Sequence, residues 1–341
     1  METVKVEKLN IFLIVISALA SFIFPFELFL FSYIVLGPLH YLTELYWLKE
    51  RNFFTVKKIE KSILIAASVL IFIASIIGTI WNYIQFLNST LLSFFAKYYY
   101  NGLSFIILFS LAFALIRKEF YSKIELLKKI IFCLLIATVI TSLGEVKLFF
   151  AVMVTTLVHV FTFTLLFIWL GALKGNSLYA KISLYLYLSL VALLFLMPTF
   201  EPIFELKNGT ISLFNASNFN FTHTTFNKLF SGDQDFSYTN SWTIKLQRFI
   251  AFAYTYHYLN WFSKVEIIGW HKLESKKIIL ILVIWVSALS LYFINYTLGF
   301  TSLLFLSILH VFMEFPLNGI TIKNIFNHYF GKKVNSRSIL K

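Results

Sequence analysis

The chain has 341 residues, of which 59% are hydrophobic and only 13% are charged. Soluble domains carry about 25% charged residues, so this composition excludes a soluble protein of this length. The apolar residues come in blocks of roughly 20, which is the length that crosses a bilayer as a helix. We therefore expect a polytopic α-helical membrane protein whose main partner is the lipid bilayer.

Ten apolar runs predict an all-α bundle that forms a single membrane domain over residues 1–341. The first two runs are joined by a tight turn at Phe24-Pro25-Phe26, and the stretch 199–240 is predicted to be an extracytoplasmic loop. That loop either caps the bundle or is only a solvated connection. The predicted spans are 9–24, 26–48, 61–83, 91–116, 124–142, 147–172, 178–198, 241–264, 276–296 and 299–317.

The basic residues alternate between the two sides of these spans. Because cytoplasmic loops are enriched in Lys and Arg, this pattern places both termini in the cytoplasm. The same pattern accounts for the net charge of +13, because the basic residues anchor the topology and do not form a nucleic-acid surface. The abundance of Lys, Asn, Ile and Phe favours a bacterial host, and hence the bacterial cytoplasmic membrane. Of the 29 Lys and Arg residues, 23 lie in segments 1–8, 49–61, 117–129, 173–181, 264–277 and 318–341.

Four histidines fall inside predicted spans, where ionisable residues are costly and usually mark function. They are His40, His159, His257 and His310. Three lie roughly 10–14 Å from the cytoplasmic ends of their helices, and His159 is expected one or two turns higher. We predict that the four meet as ligands of one intramembrane metal site. The alternative is that each histidine only forms hydrogen bonds between helices. The single cysteine, Cys133, excludes a disulfide framework and a cysteine metal site.

Two glutamates accompany these histidines at a spacing of four residues. Glu44 follows His40 and Glu314 follows His310, so each pair shares one helical face. A carboxylate in hydrocarbon costs about 2–3 kcal/mol unless it is paired. Glu44 and Glu314 are therefore expected to bind the metal or to orient a ligand, or alternatively to carry protons in a transporter.

Polar residues near His257 offer further support for such a site. Asn260 lies three residues after His257, on the same helical face, and Tyr254 lies three residues before it. Asn260 and Tyr254 are predicted to hydrogen-bond to the metal ligands or near the metal.

The segment from Tyr33 to Trp47, with Gly37-Pro38-Leu39-His40-Tyr41-Leu42-Thr43-Glu44 at its centre, resembles a known group. It is similar to bacterial multi-pass proteins labelled β-carotene 15,15′-monooxygenase, which are distantly similar to the Brp/Blh carotene dioxygenases. The resemblance implies an all-helical protein in which intramembrane histidines hold a non-haem iron. That iron would use O2 to cleave β-carotene. By this analogy the four histidines of the predicted site are the iron ligands.

The leading hypothesis is therefore an Fe(II)-dependent oxygenase that cleaves or oxidises a carotenoid or another long apolar lipid. A zinc-dependent lipid hydrolase would use the same ligands to activate water. A bis-histidine haem protein would use them for electron transfer. A proton-coupled transporter would use Glu44, Glu314 and the histidines as a relay, and a structural subunit would use them only to join helices.

Overall fold

The computed structural model describes residues 2–50, 58–84, 89–116, 122–143, 153–199, 205–217, 219–232, 236–264 and 274–330. Within these ranges every regular element is a helix. Two of the helices contain π-helical stretches, named π1 and π2 below. The elements are α1 Glu2–Ile23, α2 Pro25–Phe31, π1 Ser32–Leu36, α3 Gly37–Glu50, α4 Lys58–Ile84, α5 Ser89–Leu115, α6 Lys123–Thr141, π2 Val154–Phe163, α7 Thr164–Gly175, α8 Leu178–Leu196, α9 Asn208–Ala216, α10 Phe219–Phe230, α11 Ser241–Phe262, α12 Ser275–Ile294 and α13 Tyr296–Phe330.

Seven helices in the described ranges are long and apolar enough to cross a membrane, which agrees with the predicted class of protein. The predicted spans 91–116, 124–142 and 241–264 also fall on helices, but these three are not among the seven. The count of ten spans and the cytoplasmic side of the termini remain predictions. The seven helical stretches are Val4–Ile23, Pro25–Lys49, Lys58–Gly78, Thr155–Gly175, Leu178–Leu196, Ser275–Ile294 and Tyr296–Phe330.

Helix α11 lies at the centre of the bundle, which explains its mixed composition. Nearly every residue from Thr243 to Asn260 is buried. The helix packs against α1, α2, π2 and α8, so its surface contacts protein on several sides. A helix surrounded by protein needs no continuous apolar face toward lipid, and it can therefore carry Gln247, Arg248 and His257.

The predicted end of the last span at residue 317 is wrong. Helix α13 continues through Pro316 to Phe330, and its 35 residues extend over about 50 Å. Pro316 removes one backbone hydrogen bond, but contacts beyond it hold the helix in place. A Cβ added to Gly319 would lie 2.8 Å from the backbone oxygen of Leu115, so α13 passes very close to the end of α5 there. Near its C-terminus, Tyr329 accepts a hydrogen bond from the indole of Trp169 on α7.

The segment 199–240 is not an irregular loop, because it contains α9 and α10. We call these two helices the cap. Phe219, Phe226 and Phe230 are spaced at a helical period that the surrounding Asn and Thr residues obscure in the sequence. The ring of Phe214 on α9 packs edge-on against Phe26 of α2, with 4.9 Å between their centroids. The cap is therefore packed onto the bundle.

Candidate metal centre

The structure brings the four predicted histidines together from α3, π2, α11 and α13. Neighbouring ring centroids are separated by 4.7 Å for His40 and His257, 5.2 Å for His257 and His159, 5.1 Å for His159 and His310, and 5.5 Å for His310 and His40. The rings thus form a closed cycle, which we call the tetra-histidine cluster. All four are buried, with exposed fractions from 1% for His40 to 7% for His257.

His159 was expected one or two turns above the other histidines, but its ring contacts those of His257 and His310. The expected offset was counted from the cytoplasmic end of the predicted span 147–172, with the rise of a regular α-helix. The chain around His159 is instead π-helical, from Val154 to Phe163. A second π-helix, Ser32–Leu36, ends four residues before His40. Because π-helical turns often occur at functional sites, their position beside two of the histidines supports a site here.

The hydrogen bonds around His257 favour a proton on its Nδ1. Thr164 Oγ1 donates its only hydrogen to the carbonyl of Val160, at 2.7 Å. The same oxygen lies 2.8 Å from His257 Nδ1, so it accepts a hydrogen from that nitrogen. In the neutral ring Nε2 is then the nitrogen with the free lone pair. His257 Nε2 faces His40 Nε2 at 3.1 Å.

This separation matches two ligands of one metal ion. Nitrogens bound at about 2.0–2.1 Å and at angles between roughly 90° and 110° lie about 2.9–3.4 Å apart. A buried partner that fixes the proton on the other ring nitrogen is also a regular feature of metal-binding histidines. The 3.1 Å distance between His40 and His257 therefore fits a shared ion, and it also fits a single hydrogen bond between the two rings.

Both predicted glutamates lie at the cluster. Glu44 Oε2 is 3.0 Å from His40 Nε2, and Glu314 Oε2 is 3.3 Å from His159 Nδ1. Both carboxyl groups are buried, and neither contact has hydrogen-bond geometry. Glu314 thus approaches the histidine of another helix. His40, Glu44 and His310 each place one possible metal-ligand atom within 4.8 Å of the other two, so one ion could contact all three.

Several polar atoms of the cluster are buried without a hydrogen-bond partner. They include both ring nitrogens of His159 and Nδ1 of His40. An unsatisfied buried polar group costs about 1–3 kcal/mol, so native proteins keep few of them. Their concentration in one place is expected when the group that satisfies them is an ion rather than another side chain.

Asn260 and Tyr254, which are predicted to hydrogen-bond to the metal ligands or near the metal, lie on α11 three residues on either side of His257. Asn260 is buried, and its backbone carbonyl accepts a hydrogen bond from Ser263. The hydrogen bonds described for the cluster include none from the Asn260 side chain. Tyr254 packs with aromatic rings one turn away from the histidines, with Phe29 at 5.4 Å and Tyr33 at 5.9 Å. Their hydrogen bonds to the metal ligands or near the metal remain predictions.

Residues that the sequence did not single out surround His40. Tyr258 packs on its ring with 4.9 Å between centroids, and Tyr41 stacks on His310 at 5.5 Å. Thr43 donates to the carbonyl of His40 and accepts a hydrogen bond from the indole of Trp261. Thr164 and Thr43 each lie within five residues of a site histidine. This proximity is the only feature of the sequence that could have indicated their contacts with the site.

Replacing Thr164 with valine is expected to weaken metal binding by the cluster about 10- to 100-fold, the usual effect of removing a partner that orients a metal-binding histidine. Valine keeps the shape of threonine but cannot accept the hydrogen from His257 Nδ1. Thr164→Ser retains the hydroxyl and should bind metal nearly as well as the wild type. The measurement is competition against a chelator of known affinity. Equal affinities for the valine variant and the wild type would show that the His257 tautomer is irrelevant to binding.

No protein-family model, curated protein or solved structure matches the chain. The interpretation of the tetra-histidine cluster therefore rests on its own geometry. The resemblance of the segment around His40 to the carotene-cleaving group stays a prediction.

Proposed function

We propose that the tetra-histidine cluster binds Fe(II) and that the protein is a membrane non-haem iron oxygenase for a carotenoid or another long apolar lipid. The observation that carries this proposal is the closed cycle of buried imidazoles, in which His257 Nε2 is directed at His40 Nε2. His40, His159, His257 and His310 would hold the ion. Bound iron supplies the activation of O2, which protein side chains alone do not provide.

Imidazole donors suit iron, zinc, copper and nickel, so the ligands alone do not select one metal. The surroundings favour an apolar substrate. His40 lies against Tyr258 and Trp261, and His159 lies near Phe163 and Phe315. A hydrolase must also admit water to its metal, and an apolar lining of this kind suits a lipid better. The choice of iron and of a carotenoid follows the resemblance of the segment around His40.

Haem is a poorer match for the geometry. Two axial nitrogens on opposite sides of one iron would stand roughly 4 Å apart, twice a metal–nitrogen bond of about 2.0 Å. His40 Nε2 and His257 Nε2 are only 3.1 Å apart, and the four rings contact one another around the cycle. This spacing favours a shared ion over a haem between two axial histidines.

A proton-coupled transporter is the second candidate function. Glu44 and Glu314 are buried and each lies beside a histidine, which is an arrangement that proton relays use. This function requires no bound metal, so metal content separates it from the oxygenase.

We further propose ten membrane spans with both termini in the cytoplasm of a bacterial host. Supporting this topology, α5, α6 and α11 coincide with the three predicted spans outside the seven clearly apolar ones. The basic residues also concentrate on alternate connections. In this topology the cap lies on the outer face.

Elemental analysis and absorption spectroscopy of the purified protein test the proposed function. We expect about one iron per chain, no haem absorption band, and loss of orange colour with formation of a cleaved or oxidised product in carotene-producing cells. Stoichiometric zinc would favour the hydrolase. Protein without any transition metal would contradict the oxygenase and favour the transporter or a structural role.

A further inference from the structure

Arg248 on α11 is a buried cation outside the tetra-histidine cluster. The residue is 4% exposed, and its Nε and Nη1 atoms have no hydrogen-bond partner. The guanidinium carbon lies 3.7 Å from the centroid of the Phe22 ring on α1. The ring therefore covers one face of the guanidinium, while at least two of its nitrogens keep hydrogens to donate.

This arrangement is incomplete as a purely structural contact. The ion pairs between described residues do not include Arg248. A phenyl ring stabilises a cation only weakly and satisfies none of its N–H groups. A buried arginine without an anion is costly, so such residues normally have a charged or hydrogen-bonding partner. The missing partner of Arg248 is therefore expected to be an anion.

The position of Arg248 indicates where that anion comes from. Arg248 lies seven residues after Ser241, or about 10 Å along α11 from its first residue. Phe22 lies next to the end of α1, beside the turn into α2. Closer to the start of α11, Lys245 lies over the ring of Trp242, as interfacial residues commonly do. Arg248 thus lies level with the turn between α1 and α2, where the neighbouring Gln247 donates to the carbonyl of Pro25. In the predicted topology its long side chain can reach the outer lipid headgroups from this depth.

Arg248 is also separate from the tetra-histidine cluster. Nine residues separate it from His257, and this spacing directs the two side chains to opposite faces of α11. Arg248 faces α1, and His257 faces α3, π2 and α7. A ligand of Arg248 is therefore distinct from a substrate of the cluster.

We propose that Arg248 binds a phosphate oxyanion between α1 and α11, supplied by an anionic phospholipid of the outer leaflet. Arginine suits this role because its planar group stays charged and binds phosphate with several hydrogen bonds. Phe22 holds the guanidinium plane in place. The bound headgroup would join the first helix of the chain to its central helix.

The test measures the thermal stability of the purified full-length protein in neutral detergent as each of three probes is added. The probes are dioleoylphosphatidylglycerol, dioleoylglycerol with the same acyl chains but no phosphate, and inorganic phosphate. We expect phosphatidylglycerol to stabilise the wild type and dioleoylglycerol to have no effect. Arg248→Met should weaken the apparent affinity for phosphatidylglycerol at least tenfold, about the value of one charge-assisted contact. Lys245→Met, which removes a charge from the same end of α11, should change it less than about twofold.

Arg248→Lys provides a second variant if the methionine variant does not fold. It keeps the charge but loses the planar group, and it should bind phosphatidylglycerol with intermediate affinity. If inorganic phosphate alone stabilises the protein and this effect requires Arg248, the oxyanion site is supported and its ligand is free phosphate. Equal affinities of wild type, Arg248→Met and Arg248→Lys for phosphatidylglycerol, with no response to phosphate, would overturn the proposal. Metal content is measured in the same samples and should not change.

Discussion

Replacing His159 or His310 with alanine is expected to remove nearly all bound metal from the purified protein. Metal sites in proteins contribute about 10–16 kcal/mol of binding energy, so an equal share among four ligands gives each about 3 kcal/mol, or roughly a 100-fold loss of affinity. His159 is the more informative position because neither of its ring nitrogens has a hydrogen bond. In a cluster that serves only to join helices, His159 contributes ring packing and its contact with Glu314, and its replacement would not change the metal content.

His223 supplies a matched control for these variants. It is fully buried on the cap helix α10, where its Nε2 is 2.9 Å from Gln247 Oε1. Burial lowers the pKa of His223 to about 4, with the Gln247 hydrogen bond acting in the opposite direction, so the ring is neutral at pH 7. We expect His223→Ala to keep the metal content of the wild type. Full metal retention by His159→Ala and His310→Ala would refute the tetra-histidine cluster as a metal site.

The sequence predicted those parts of the fold that composition alone determines. Helix α12, Ser275–Ile294, lies within two residues of its predicted span 276–296, because a continuous apolar run has clear polar ends. The end of α13 was not predictable in this way. Pro316 is a strong local signal for a helix end, but tertiary contacts near Gly319 and Tyr329 outweigh it.

The meeting of four histidines from four helices could be predicted, because helix rise and charge alternation give an approximate height for each residue. The height expected for His159 was wrong, because the chain around it is π-helical. The rotation and pairing of the side chains could not be predicted, because they depend on which helices are neighbours. Glu314 follows His310 by one turn, but it contacts His159 on π2. The role of Thr164 requires both a π-helix and the approach of α11, and neither is encoded in a local pattern.

Because side-chain pairing depends on which helices are neighbours, the sequence also did not reveal one buried ion pair. Its two residues lie in predicted cytoplasmic segments. Lys129 on α6 donates a hydrogen bond of 2.8 Å to Glu60 on α4. Their side chains are only 5% and 3% exposed. The lysine nitrogen also lies 4.0 Å from the centroid of Phe113 on α5. The charge pattern uses Lys129 only to predict the cytoplasmic side of the membrane, and it does not reveal Glu60 as the partner of this lysine.

Replacing Lys129 with methionine is expected to destabilise the protein by about 3–5 kcal/mol, because it leaves the carboxylate of Glu60 buried without a cation. The measurement is reversible unfolding of the purified protein by denaturant in detergent. Lys277→Met is the control, because it breaks the exposed pair with Glu274, whose side chains are 39% and 72% exposed. An exposed pair of this kind contributes only about 0–1 kcal/mol.

The double replacement of Glu60 with leucine and Lys129 with methionine separates the value of the pair from the cost of an isolated charge. Apolar residues of similar volume often replace a buried ion pair without loss of stability, so the double variant should be more stable than Lys129→Met alone. It also removes the contact of Lys129 with Phe113, which contributes about 0.5–2 kcal/mol. If both variants are equally unstable, this cation–π contact and the packing of the lysine chain hold α6 in place, and the ion pair with Glu60 does not.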